Sequence, residues 1–154
     1  MTAAARTPRH VRKNRRYWDG AAAEYQRRYG KQLNDVDRPR WGVWGIPESR
    51  IGAIGDVEGL DVLEYGCGGA QWTIALSRRG ARGVGIDLSI EQLRHGAALA
   101  GRVGTPVPLA AADGERLPFA DGAFDLVMCD HGAMTFADPR VTVPEVARVL
   151  RPGG

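Results

Sequence analysis

Cysteine and histidine are scarce in this chain, with two of the first and three of the second. Two cysteines, Cys67 and Cys129, are too few for a disulfide framework, and a reducing compartment is the default. The histidines are scattered, and no Cys/His run has the spacing of a metal site. No apolar run reaches the ~18 residues a membrane span requires, so no membrane partner is expected. The opening stretch, residues 1–16, holds no apolar segment of the kind a secretory signal needs. It is Arg-rich and acid-free like a transit peptide but poor in Ser, and a cytoplasmic location is expected. Acids are also scarce early. Residues 1–40 hold eleven Lys/Arg and four Asp/Glu, so the net charge of +3 hides a basic start and an acidic remainder. A basic arm suits nucleic acid or an acidic partner. It carries no recognised nucleic-acid motif, however, and residues 1–10 read as a disordered terminus.

Glycine and apolar residues are plentiful. The apolar share of 44% supports a packed core, and 21 glycines in 154 residues is about twice the usual ~7%. The length fits one domain. A helix is expected from Val11 to Tyr29, because Tyr17, Ala21, Tyr25 and Tyr29 recur at spacing four with Trp18 and Ala22 beside them. Gly30 would end it. Residues 31–50 read as a loop carrying Trp41 and Trp44, and Pro47-Glu48-Ser49 opens a short helix to about Ala53. Residues 11–55 thus read as one N-terminal helical region.

From residue 56 the pattern alternates. Leu60–Tyr65 is an apolar strand ending in Gly66-Cys67-Gly68-Gly69, and a helix follows from Ala70 to Arg79. Arg82–Ile86 is a second strand, ending at Asp87. Ser89 caps a helix to about Ala100, with Gln92 at capping-box spacing. Val107–Ala111 and Phe124–Cys129 are further strands. Thr142 and Glu145, again at capping-box spacing, open a helix to Leu150. Strands alternating with helices argue for an α/β fold with a mostly parallel sheet.

Ligands of such sheets bind beyond the carboxyl ends of the strands. After the first strand, glycines at 66 and 68 let a backbone approach a ligand and turn into a helix N-terminus. After the second stands Asp87, 21 residues past Gly66, where an acid accepts hydrogen bonds from ribose hydroxyls. After the third comes Asp113-Gly114, an acid suited to accept from an amino group or to shape an ordinary loop. After the fourth stand Cys129, Asp130 and His131. A histidine there serves as a general base or merely orders the loop.

Together these stretches resemble the class I S-adenosylmethionine-dependent methyltransferases, in the small-molecule branch that includes the ubiquinone/menaquinone-biosynthesis type. Val-Leu-Glu64-Tyr-Gly66-Cys-Gly68-Gly69-Ala70 looks like that family's first motif, with Ala70 in place of its third glycine. Gly85-Ile-Asp87-Leu-Ser looks like the second. Asp113-Gly-Glu-Arg-Leu-Pro-Phe119 with Phe124-Asp-Leu-Val looks like the third and fourth. Ala147-Arg-Val-Leu-Arg-Pro-Gly-Gly154 looks like the helix end before a fifth strand. The resemblance implies a Rossmann-like domain over residues 56–154, incomplete at the C-terminus, with the uncovered edge of its fourth strand inviting association.

By the resemblance, the cofactor is S-adenosyl-L-methionine. Glu64, Gly66, Cys67 and Gly68 would meet its methionine part, Asp87 its ribose, Leu88 its adenine ring, Asp113 and Gly114 the adenine amino group, and the backbone near Asp130 the methionine end. The partner would be a small-molecule methyl acceptor, His131 a candidate base. The resemblance also makes residues 11–55 a helical cover over the site, whose aromatic residues Tyr17, Trp18, Tyr25, Trp41 and Trp44 suit a flat or apolar acceptor or simply pack the cover on the sheet. Two rivals are weighed against this. A nicotinamide-dependent oxidoreductase wants Gly or Ala where Gln71 stands. A non-catalytic cofactor- or nucleic-acid-binding module would use the basic N-terminus.

Overall fold

A computed structural model describes residues 7–154. The expected disordered stretch therefore lies mostly outside the described residues, but its last two positions do not fit it. The first helix, α1, spans Arg9–Leu33. It starts before Val11 and runs through Gly30, which is buried and whose carbonyl accepts from the capping N–H of Asn34. The loop after it contains a two-residue hairpin that periodicity does not show, β1 (Arg40–Trp41) against β2 (Ile46–Pro47), followed by the one-turn helix α2, Glu48–Ile51.

The main sheet has four strands: β3 (Asp61–Tyr65), β4 (Arg82–Asp87), β5 (Leu109–Ala111) and β6 (Leu126–Met128). Their order is β5-β4-β3-β6, and every pairing is parallel. The chain starts in the middle of the sheet, moves outward through β4 and β5, then returns to the other side of β3. The strand order thus reverses beside β3, and a crevice opens there at the carboxyl ends. Beyond β6, Leu150 makes an isolated parallel bridge to Phe124.

Strand β3 shows why helices flank both faces. Val62 packs with Trp72 and Leu76 of α3 (Gln71–Arg78), while Leu63 and Tyr65 pack with Phe124 and Val149 on the other face. That is the two-residue alternation of a strand covered on both sides. Helix α3 has eight residues, too few for an isolated helix, where about 12–15 are needed. It persists because Trp72, Ile74 and Leu76 are buried, and full burial of such a side chain contributes roughly 1.5–3 kcal/mol.

The next helix, α4, runs from Ile90 to Arg102. Ser89 caps it as expected, its Oγ accepting from the Gln92 N–H. The return half of the capping box is not made, because the Gln92 amide oxygen accepts from Gln26 instead. After the four-residue α5 (Ala133–Phe136), helix α6 spans Pro139–Val149 with Asp138 as its cap. The expected cap at Thr142 is therefore wrong. Thr142 is fully buried inside the helix, and Glu145 accepts from the Leu117 N–H and pairs with Arg148. Asp138-Pro139 is the stronger start signal, since proline at the first helical position is preset for it.

Candidate functional site

One cavity at the carboxyl ends of β3, β4 and β5, roofed by α1 and the hairpin, is lined by all ten singled-out residues: Glu64, Gly66, Cys67, Gly68, Asp87, Leu88, Asp113, Gly114, Asp130 and His131. Gly66 is the hinge. Its φ is 76°, and an added Cβ would lie 2.3 Å from the Ala133 amide nitrogen. No side chain fits there, so the turn after β3 and the loop after β6 meet backbone to backbone.

The three carboxyls at the strand ends have different tasks. Asp87 fixes the turn: Oδ2 accepts from the Gly68 N–H at 2.8 Å and Oδ1 from the Ser89 N–H at 2.8 Å. Burial raises its pKa, and these N–H bonds act against that rise. Glu64 projects from β3 toward α3, and its Oε2 accepts from Thr73 N–H at 2.7 Å and Thr73 Oγ1 at 2.5 Å. Burial pushes its carboxyl up to about 8. Asp113 makes a tight turn, accepting from the Glu115 N–H, while the Tyr65 hydroxyl donates to the Gly114 carbonyl and ties the loop to the end of β3.

The loop after β6 serves the cover. Asp130 Oδ2 accepts from Trp72 Nε1 at 3.0 Å, and both its oxygens face the Gly42 N–H at 2.9 and 3.0 Å. The role expected for the backbone near Asp130 is thus joined by a side-chain role. His131 is exposed, holds a φ of 53°, and sets its ring edge-on to Trp44 at 5.5 Å. Cys67 is buried, and burial raises its thiol pKa well above the ordinary range, so it serves as an apolar neighbour.

Several contacts in and around the cavity were not legible in the sequence. Gln26 of α1 donates to Gln92 Oε1 at 2.8 Å, and Gln71 Nε2 donates to Gln26 Oε1 and to Asn34 Oδ1, both at 3.2 Å. This amide chain fastens the cover over the glycine turn. At the other end of α1, His10 meets Glu115 at 2.8 Å and Asn14 donates to the Phe136 carbonyl. Trp18 packs edge-on against both Tyr25 and Phe136, and all three line the cavity. The Tyr25 hydroxyl has a raised pKa, from burial first and then from Asp130. Tyr17, by contrast, is 64% exposed and stands outside the cavity. Only the aromatic spacing of α1 signalled any of this.

Comparison with known proteins identifies the family. The family model described as "Methyltransferase domain" matches residues 63–154. A protein of Mycolicibacterium paratuberculosis named demethylmenaquinone methyltransferase is 40% identical over 102 residues, which covers 66% of this chain and 42% of that relative. The chain therefore spans under half the length of that relative. An S-adenosylmethionine dependent methyltransferase from Mesorhizobium loti superposes with a TM-score of 0.57 at 25% identity, over 69% of this chain and 49% of the other. Geranyl diphosphate C-methyltransferase from Streptomyces coelicolor superposes with a TM-score of 0.75 at 19% identity, over 99% of this chain and 64% of the other. That last likeness concerns the fold, and it extends to the helical cover. The chain belongs to the methyltransferase-domain family.

Proposed function

We propose that this chain binds S-adenosylmethionine and directs its methyl group to a small, flat, largely apolar acceptor of the demethylmenaquinone type. One observation carries the reading: the Gly66–Gly68 turn shares a single cavity with Glu64, Asp87 and Asp113. Those groups suit the parts of the cofactor in order. A glycine backbone admits the methionine carboxylate at a helix N-terminus. Glu64 suits an ammonium. Asp87 suits ribose hydroxyls, since each of its oxygens keeps a lone pair beyond the N–H bond it already accepts. Asp113 suits an amino group.

The sulfonium supplies an electrophilic methyl carbon when the cofactor is bound. The chain's own task is to align an acceptor with it, and orientation accounts for roughly 7–11 kcal/mol of such a barrier. Trp18, Tyr25 and Phe136, packed edge to face, offer an apolar aromatic wall for that acceptor. The name of the relative from Mycolicibacterium paratuberculosis supports the acceptor class.

Calorimetry with S-adenosylmethionine and S-adenosylhomocysteine tests the reading, with Asp87→Ala as the paired variant and thermal melts of both proteins as a fold check. Micromolar binding lost in a folded variant supports it. Absence of binding by the folded wild-type chain would sink it.

A further inference from the structure

A second, shallow groove opens beside the cavity. It is lined by Trp41, Trp44, Ile46, Ile51, Ala53 and Cys129, and it shares Gly42, Asp130 and His131 with the cavity wall. Its outer residues are unusually exposed for apolar side chains: Trp44 is 71% exposed, Ile46 42% and Ile51 48%. All three come from the hairpin and the one-turn helix after it. Clustered exposed apolar residues mark an interaction surface, whereas scattered ones do not.

Charge identifies the partner. Residues 38–51 contain three arginines, Arg38, Arg40 and Arg50, and one acid, Glu48. Glu48 is buried, its carboxylate accepting from Trp41 Nε1 and the Ile54 N–H. None of the three arginines forms an ion pair among the described residues. Arg38 and Arg50 are exposed, and Arg40 braces the hairpin by donating to the Gly45 carbonyl. Tryptophan and isoleucine flanked by unpaired arginines suit an anionic bilayer surface, where apolar groups enter the headgroup boundary and guanidinium groups meet phosphates. The long helix above carries the same sign, with eight Lys/Arg against two acids in Arg9–Leu33.

We infer that the tip formed by Trp44, Ile46 and Ile51 docks this protein on an anionic membrane surface, with the groove leading from the lipid into the cavity at His131. No helix among the described residues is long and apolar enough to cross a membrane. Lying on a bilayer is a different relation from spanning it, and the inferred docking departs from the expectation of no membrane partner. The docking rests on the exposed tip and the arginines beside it. Its use for delivering an apolar acceptor rests on the proposed function.

Vesicle co-sedimentation of the whole chain tests the inference, with phosphatidylcholine alone and with phosphatidylcholine mixed with phosphatidylglycerol. Binding is expected only to the anionic vesicles and to weaken with salt. The double variant Trp44→Ser/Ile46→Ser is expected to lose roughly tenfold or more in vesicle affinity. Arg38→Gln/Arg50→Gln is expected to lose about 25-fold, since each arginine near such a surface strengthens binding about fivefold. Both variants should keep wild-type affinity for S-adenosylhomocysteine, which shows that they fold. Equal binding to both vesicle types, or full vesicle binding by both variants, would overturn the inference. So would a concentration-dependent dimer that Trp44→Ser/Ile46→Ser dissociates, because it would assign the tip to a second copy of the chain. Loss of cofactor binding by the wild type would strike the proposed function and leave the vesicle result standing.

Discussion

The Gly42 N–H points between the two carboxylate oxygens of Asp130, 2.9 and 3.0 Å away and 88 positions later in the chain. The same carboxylate takes the indole N–H of Trp72. One side chain at the end of β6 therefore ties together the cover hairpin and the first helix after the glycine turn.

Asp130→Asn is accordingly expected to be costly although nearly isosteric. The amide keeps one acceptor and turns an N–H₂ toward the other donor. Hydrogen bonds to a charged group contribute about 1.5–3 kcal/mol, and a loss of that order lowers Tm by several degrees in a chain of this size. Hydrogen exchange adds a local readout. The Gly42 amide should lose protection before the amides of β3 do, and unchanged Gly42 protection would refute the tie.

Glu64 is expected to couple stability to pH. Its carboxyl is raised from 4.5 to about 8, first by burial, so the fold favours its neutral form. The stabilisation it contributes is full below about pH 4.5 and is lost as pH rises through about 8. Glu64→Gln imitates the neutral form and should flatten that slope, gaining on the order of a few kcal/mol over wild type at alkaline pH. A cofactor ammonium beside Glu64 would favour the charged form instead. Binding of S-adenosylmethionine should then release a proton below about pH 8 in the wild type and not in Glu64→Gln. Calorimetry in buffers of different ionisation enthalpy measures that proton directly.

Gly66 and Gly122 provide an internal comparison, since both hold positive φ, 76° and 62°. At Gly122 an added Cβ meets only Arg151, no nearer than 3.9 Å, whereas at Gly66 it meets the Ala133 backbone nitrogen at 2.3 Å. Gly122→Ala should cost about 1–2 kcal/mol of left-handed strain and leave cofactor affinity alone. Gly66→Ala must also push the turn away from the loop after β6. It should cost more and abolish S-adenosylhomocysteine binding in protein that still shows helical and strand signal. Equal melting losses in the two variants would contradict this.

Ala70 occupies a left-handed position, φ 58°, where the family pattern has glycine. Its methyl group is buried, and a Cβ added at Gly96 of α4 would come within 2.9 Å of it. Gly96→Ala should therefore destabilise, against the gain of about 1 kcal/mol that alanine brings to a helix interior. Ala70→Gly alone should change stability by about 1 kcal/mol or less, because relief of strain offsets lost burial and added chain entropy. The double variant should recover part of the Gly96→Ala loss, a non-additivity that melts of all four proteins measure.

How much of this was legible in the sequence follows the range of the interactions. β3 and β4 were found to within a residue, because an apolar run stopped by Gly66 or Asp87 is a local signal. The grouping of Glu64, Asp87 and Asp113 followed from the parallel topology, which places successive strand ends side by side. The length of α1 was missed because Gly30 usually ends a helix, and here the helix continues through it to Leu33. Two-residue strands carry no period, so the hairpin of Arg40–Trp41 and Ile46–Pro47 was invisible. The amide chain from Gln26 to Gln92 joins positions 66 apart, and no local pattern encodes it. Thr142 misled because its spacing to Glu145 satisfies a capping rule that Asp138 satisfies better with a real hydrogen bond.

His131 tests the chemistry itself. It stands at the rim shared by cavity and groove, in a backbone conformation uncommon for a non-glycine residue. Such a held conformation is a reason to suspect function. If the acceptor must lose a proton, His131 is positioned at the mouth through which that acceptor enters. His131→Ala should then lower kcat by about 10²–10⁴-fold, the usual contribution of a positioned base, with S-adenosylhomocysteine affinity unchanged. A purely structural role predicts another result, since His131→Gly would relax the positive φ and restore the rate. Turnover measured for both variants separates the two: equal loss in both assigns the imidazole to catalysis, and wild-type rates in both remove it from the reaction.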